Sequence, residues 1–88
     1  MRLDKFLKVS RIIKRRTLAK EVCDRQQVKI NDRIAKAGTV VQSGDVLEIL
    51  LGQRFIKLRI TELRETVPAK QAAELYELLE SNRVEIDH

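Results

Sequence analysis

The residues best suited to chemistry are three consecutive cations, Lys14-Arg15-Arg16, and the chemistry they suit is anion binding. Adjacent positive charges repel one another unless something neutralises them, so the run predicts a polyanionic partner. Arg2, Lys5, Lys8, Arg11 and Lys20 extend it into a basic surface. Asp4 is read there as a salt-bridge partner that orients Arg2 or Arg11.

Catalytic chemistry finds less footing. Cys23 falls on the apolar face of an expected helix, where a small core residue outweighs a nucleophile, and the lone histidine, His88, ends the sequence. One cysteine and one histidine fall short of the ~3–4 protein ligands of a zinc site. Glu74 and Glu77 lie on an expected solvated face, where nothing raises a carboxyl pKa for acid–base work. Gly38, Gly44 and Gly52 form no phosphate-cradling motif. The chain reads as a binding protein and not an enzyme, with no cofactor and no metal expected.

Charge is divided along the chain. Residues 1–36 carry twelve basic side chains against four acidic ones, a surplus of eight, and residues 37–88 carry six against nine. The net charge of +5 is therefore a basic half joined to an acidic half. The first half suits a polyanion; the second suits solvent or a protein surface. With 88 residues and 43 % hydrophobic content the sequence predicts one small domain with its own core. No run approaches the ~18 apolar residues of a membrane helix, and the first residues do not look like a secretory signal. A single cysteine allows no internal disulfide. A cytoplasmic protein with no membrane partner is expected.

The elements that must position these residues are set by periodicity. Leu3, Phe6 and Leu7 share an arc of a first short helix, opposite Arg2, Asp4, Lys5 and Lys8. Val9-Ser10 ends it and leaves Ser10 to cap the next helix. That second helix runs from Lys14 or Arg15 to Gln26, with Leu18, Ala19, Val22 and Cys23 inward. The basic triplet then opens it, where the dipole already favours an anion. Val28–Ile30 and Arg33–Ala35 flank a hairpin turn at Asn31-Asp32, and Val46–Leu51 and Phe55–Ile60 form two further strands. Pro68 opens a last helix, Ala69–Ser81, with Ala72, Leu75, Tyr76 and Leu79 inward and Lys70, Glu74, Glu77 and Glu80 outward. The expected class is α+β: two N-terminal helices on a small antiparallel-rich sheet over residues 1–66, and an acidic C-terminal helix over 67–88 on or beside the same domain.

Phe6, Phe55 and Tyr76 are the only aromatics, and two of them fall on apolar arcs. Single-strand readers stack bases on aromatic platforms, so recognition here should work through charge and shape on a folded RNA. A helix-turn-helix DNA binder is a competing reading, and a protein-interaction module built on the acidic last helix is a third.

Arg2-Leu3-Asp4, Ser10-Arg11, the basic start of the second helix, Val28-Lys29-Ile30-Asn31 and Ser43-Gly44-Asp45-Val46 occur in the order of the RNA-binding module of small-subunit ribosomal protein S-four. The chain resembles that S-four domain over roughly residues 1–50. Gln27 and Asp32 stand where the family usually has glycine, and both touch the hairpin. Lys14 to Val22, Leu51-Gly52-Gln53 and the length are similar to the stand-alone S-four proteins of ribosome-associated quality control in Gram-positive bacteria. That resemblance implies binding to large ribosomal subunit rRNA and to the peptidyl-site tRNA of a stalled chain, in support of alanine tailing by the elongation factor RqcH. It also implies a direct polar contact with RNA by Asp4; Arg2 and Arg16 are read as phosphate contacts, with Lys5, Lys8, Arg11, Lys14, Arg15 and Lys20 completing the basic surface. The related heat-shock-fifteen type commonly carries a basic C-terminal extension, whereas Glu80, Glu85 and Asp87 close this sequence. A monomer is expected.

The surplus of eight positive charges predicts steep salt dependence. With roughly six to eight phosphates contacted, log affinity for RNA should fall against log salt with a slope of about −4 to −7. A salt titration of binding checks this, and a flat response would favour the protein-interaction reading.

Overall fold

The computed structural model describes residues 1–84. Helix α1 (Leu3–Val9) and helix α2 (Arg16–Asp24) precede four strands, β1 (Val28–Ile30), β2 (Arg33–Ile34), β3 (Val46–Leu51) and β4 (Arg54–Ile60). A short 3-10 helix (Ala69–Leu75) then leads into β5 (Tyr76–Arg83). The strands form one antiparallel sheet in the order β2-β1-β3-β4-β5. The α+β expectation holds. His88, Glu85 and Asp87 lie outside the described residues.

Alternation along the strands gives the sheet two unlike faces. Val28, Leu47, Ile49, Leu58 and Ile60 are buried and meet Leu3, Phe6 and Leu7 of α1 and Ala19, Val22 and Cys23 of α2 in one core. The opposite face carries a row in which Lys29 faces Glu48, Glu48 faces Lys57, and Lys57 faces Glu80. Opposite charges on neighbouring strands favour this register, and a slip of one residue would drive charges into the core.

The helix wheel is borne out for α1 except at Asp4, which is buried and not on the solvent side. The stripe of α2 is narrower than expected: Ala19, Val22 and Cys23 are buried, while Leu18, in the first turn at the stripe's margin, is exposed. Ser10 does not cap the second helix. It closes α1, its N–H bonding the Phe6 carbonyl and its hydroxyl donating to the Leu7 carbonyl at 3.3 Å. The chain then reverses at Arg11, whose φ of 64° takes the left-handed role that glycine commonly fills after a helix.

The last segment departs most from the expectation. Ala69–Ser81 is not an α-helix; only Ala69–Leu75 is helical, in 3-10 form, and Tyr76 onward is strand. Ala72 and Leu75 are buried as expected, Tyr76 is partly buried, and Leu79 is exposed. The reason is tertiary. The free edge of β4 offers a row of unpaired backbone groups, and β5 satisfies them from Arg54 opposite Arg83 to Ile60 opposite Tyr76. Thr61 secures the junction, its N–H bonding the Leu75 carbonyl at 2.9 Å and its hydroxyl the Glu74 carbonyl at 2.7 Å.

The turn at Asn31-Asp32 has φ of 49° and 70°, the pair of positive values that a two-residue hairpin turn demands. Asn31 tolerates this and does more. Its side-chain oxygen accepts the Val46 N–H at 3.0 Å and its amide donates to Asp45 at 3.1 Å, tying the hairpin to the turn before β3. Asn31→Ala should therefore lower stability by about 1–3 kcal/mol, from two lost hydrogen bonds and left-handed strain. Asn31→Gly should cost less, because glycine accepts that φ. Chemical denaturation of the three proteins checks the order.

Candidate nucleic-acid interface

The site grows from the first turn of α1. Leu3 N–H bonds the Thr39 carbonyl at 2.8 Å and Asp4 N–H the Ala37 carbonyl at 3.1 Å, so the 37–39 loop occupies the start of the helix. Asp4 takes the next donor itself, accepting the Lys5 N–H at 2.8 Å. Those bonds fix the carboxylate beneath the surface, with its side chain only 5 % exposed.

Two guanidinium groups close over it. Arg2 reaches Asp4 Oδ1 through Nε at 3.2 Å, and Arg16 reaches Oδ2 through Nε at 3.3 Å and Oδ1 through Nη2 at 3.4 Å. Burial pushes the Asp4 carboxyl up, but the hydrogen bonds from Arg16 and Arg2, the Arg16 charge and the Lys5 N–H outweigh it and hold its pKa below the ordinary value. Asp4 therefore anchors Arg2, as expected, and its second partner is Arg16 instead of Arg11. Both arginines keep about half their side-chain surface in solvent, 55 % and 47 %. The Arg2 guanidinium also lies over Gly38, where a Cβ would stand 3.5 Å from Nη2.

Beside this anchor runs a groove of about 470 Å³ lined by Lys5, Lys8, Arg11, Lys14 and Arg16, with Glu65, Thr66 and Val67 on the far wall. The fold thus gathers five of the expected cations around one concavity and joins Arg2 to it through Asp4. Arg15 and Lys20 are exposed but do not line the groove; Arg15 is the residue before α2, and Lys20 lies one turn along it. Lys29 lies away from the groove, on the far face of the sheet opposite Glu48. At the start of α2 no side chain caps the helix, and the N–H groups of Arg16, Thr17 and Leu18 have no acceptor among the described residues. A helix start left open in this way favours an anion.

Glu65 escaped the sequence reading. It forms an ion pair with Lys5, whose hydrogen bond and charge lower the Glu65 pKa. Sixty positions separate the partners, and no local pattern links them. Cys23 is buried, and burial, with Asp4 and Asp24 adding to it, pushes its thiol up to about 11, which leaves essentially no thiolate at neutral pH. Among the described residues no group of histidine, cysteine and carboxylate side chains could hold a metal ion, and no helix is long and apolar enough to cross a membrane.

The S4 domain family model matches residues 1–47, the span that builds α1, α2, the first hairpin and the groove's cations. The chain is 58 % identical to the RQC P-site tRNA stabilizing factor of Halalkalibacterium halodurans, over 89 % of each protein. The chain belongs to the S4 domain family, among these stabilizing factors. The factor of Bacillus subtilis is 48 % identical across 96 % of this chain and 98 % of its own. A trimeric structure of Vibrio cholerae heat shock protein 15 superposes with a TM-score of 0.83 at 28 % identity, covering 89 % of this chain and 80 % of that one. The fold of this chain is thus shared with that heat shock protein.

Asp4→Asn tests the anchor, because it keeps the shape and removes the charge. At neutral pH it should cost about 1–2 kcal/mol, the lower part of the range for charged hydrogen bonds since both arginines are half exposed. The native carboxyl has a depressed pKa, so its contribution is complete above the unfolded-state value of about 4 and is lost as pH falls through the folded value. The gap between wild type and Asp4→Asn should accordingly close below about pH 4 in thermal melts taken across the acid range.

Proposed function

We propose that this protein binds a large ribosomal subunit holding a peptidyl-site tRNA and steadies that tRNA by gripping phosphates of tRNA and rRNA. The observation that carries the reading is the pair of arginines fixed by buried Asp4 beside a groove of further cations. Guanidinium groups present planar donors that match two phosphate oxygens at once, and a prior anchor reduces the rotamer freedom lost on binding. Asp4 acts here by positioning, its oxygens already taken by Arg2, Arg16 and the Lys5 N–H. Lys5, Lys8, Arg11 and Lys14 supply point charges along the groove, and Arg15 and Lys20 broaden the field beside it.

The names of the relatives support the target: factors that stabilise a P-site tRNA in ribosome quality control. On this reading the chain works in the cytoplasm as a monomer, with RqcH as the partner that extends stalled chains with alanine. Its role is binding and not catalysis. The heat-shock-fifteen type of large-subunit recycling is a second reading, favoured by the structural likeness to the Vibrio cholerae protein. The two part on alanine tailing, which only the first requires. A DNA-binding reading has less support, because Arg16 at the head of α2 is tethered to Asp4 instead of standing clear to enter a groove.

Arg16→Ala should weaken co-sedimentation with peptidyl-tRNA-bearing large subunits about ten- to a hundred-fold, the effect of one lost charge-assisted contact to phosphate. It should also cost about 1 kcal/mol of stability, a melting shift of roughly 4–8 °C, since Asp4 keeps only Arg2. Arg16→Lys should restore part of the binding. Wild-type sedimentation and alanine tailing with Arg16→Ala would overturn the reading; collapse of the fold would make Arg16 structural.

A further inference from the structure

Three of the six cations in the acidic half of the chain stand beside acids. Arg59 pairs with Glu77 at 3.3 Å, Arg64 with Glu62 at 2.7 Å, and Lys57 stands in register between Glu48 and Glu80. Arg54 and Arg83 break this pattern. They are directly opposite each other on β4 and β5, a like-charge cross-strand pair, which is destabilising in itself. Neither forms an ion pair among the described residues. Neutral neighbours brace them instead: Arg54 donates to the Ser81 hydroxyl at 3.1 Å, and Arg83 to the Gln53 side-chain oxygen at 3.1 Å. The two arginines, Gln53, Ser81 and Asn82 line a hollow of about 370 Å³. Two guanidiniums held together by uncharged acceptors leave most of their donors for an outside anion.

The hollow opens on the helix-bearing side. Strand alternation puts Arg54 on the same face as buried Leu58 and Ile60. Leu51, Arg54 and Ser81 also line a shallow trough with Ile56, Tyr76, Leu78 and Ile12. Ile12 belongs to the α1–α2 loop, whose Arg11 and Lys14 line the basic groove. The loop thus borders both the basic groove and the trough that adjoins the hollow of Arg54 and Arg83.

We infer that Arg54 and Arg83 form a second phosphate-binding site, which takes a backbone phosphate of the same structured RNA beyond the α1–α2 loop. The inference rests on the proposed ribosomal function and extends its contact surface to the acidic half.

Arg83→Glu is the decisive variant. It converts the repulsive pair into an attractive one, so the melting temperature should rise or hold while affinity for peptidyl-tRNA-bearing large subunits falls about five- to twenty-fold. Arg54→Gln with Arg83→Gln should lower affinity similarly and make the salt slope shallower by about two. A control with equal charge loss, Lys57→Gln with Lys70→Gln, should bind within about two-fold of wild type. Native affinity and slope in both arginine variants would overturn the site, as would an equal loss in the control, which would reduce the effect to net charge. Failure of the wild-type chain to bind these subunits would instead sink the functional reading, and this site with it.

Discussion

A carboxylate taken almost wholly out of water must be compensated, and in this chain compensating Asp4 is what sets the geometry of the basic face. Its partners come from the residue before α1 and the first residue of α2, so one interaction fixes where the second helix begins relative to the first. The loop between them, held also by buried Ile13 and its N–H bond to the Leu7 carbonyl, presents Arg11 and Lys14 to the same groove. Repulsion among clustered cations is offset from below, by a charge that the solvent does not see. Losing the carboxylate would both weaken the fold and loosen the two arginines, which couples stability to recognition.

The rest of the molecule separates its two charge populations by the simplest available device, a sheet with one covered face. Helices and their cations occupy one side, and the alternating row from Lys29 to Glu80 occupies the other. A uniformly acidic second half would have pulled the basic surface into internal pairs or attracted a second copy. Interleaving the signs along the open face keeps that face close to neutral and leaves the positive potential concentrated on the helical side.

Local rules made much of this legible. The apolar arc of α1, the core role of Cys23, the turn at Asn31-Asp32 and the concentration of charge before residue 37 all follow from spacing and residue type. Three features did not. Asp4 sat among polar residues on the wheel, and only the 37–39 loop packing over the helix start turns its position into a buried one. The stretch from Tyr76 to Arg83 satisfies a helical period and a strand edge about equally, and the unpaired backbone of β4 decides between them. Glu65 reaches the groove only because the chain returns after β4, and nothing in its neighbourhood records Lys5 as its partner.

That returning carboxylate has a consequence for how the groove handles ions. Glu65 is 76 % exposed and engages Lys5 at the groove wall, so in the free protein it behaves as a tethered counterion. A phosphate arriving at Lys5 would expel this side chain instead of a chloride drawn from bulk. The displaced charge stays attached to the protein, so at Lys5 only the cation leaving the phosphate is released, and the broken ion pair offsets part of the attraction. On the proposed function, an RNA phosphate at Lys5 would have to displace Glu65 first, so this position would favour a ligand already held by Arg2 and Arg16 over a weakly placed polyanion.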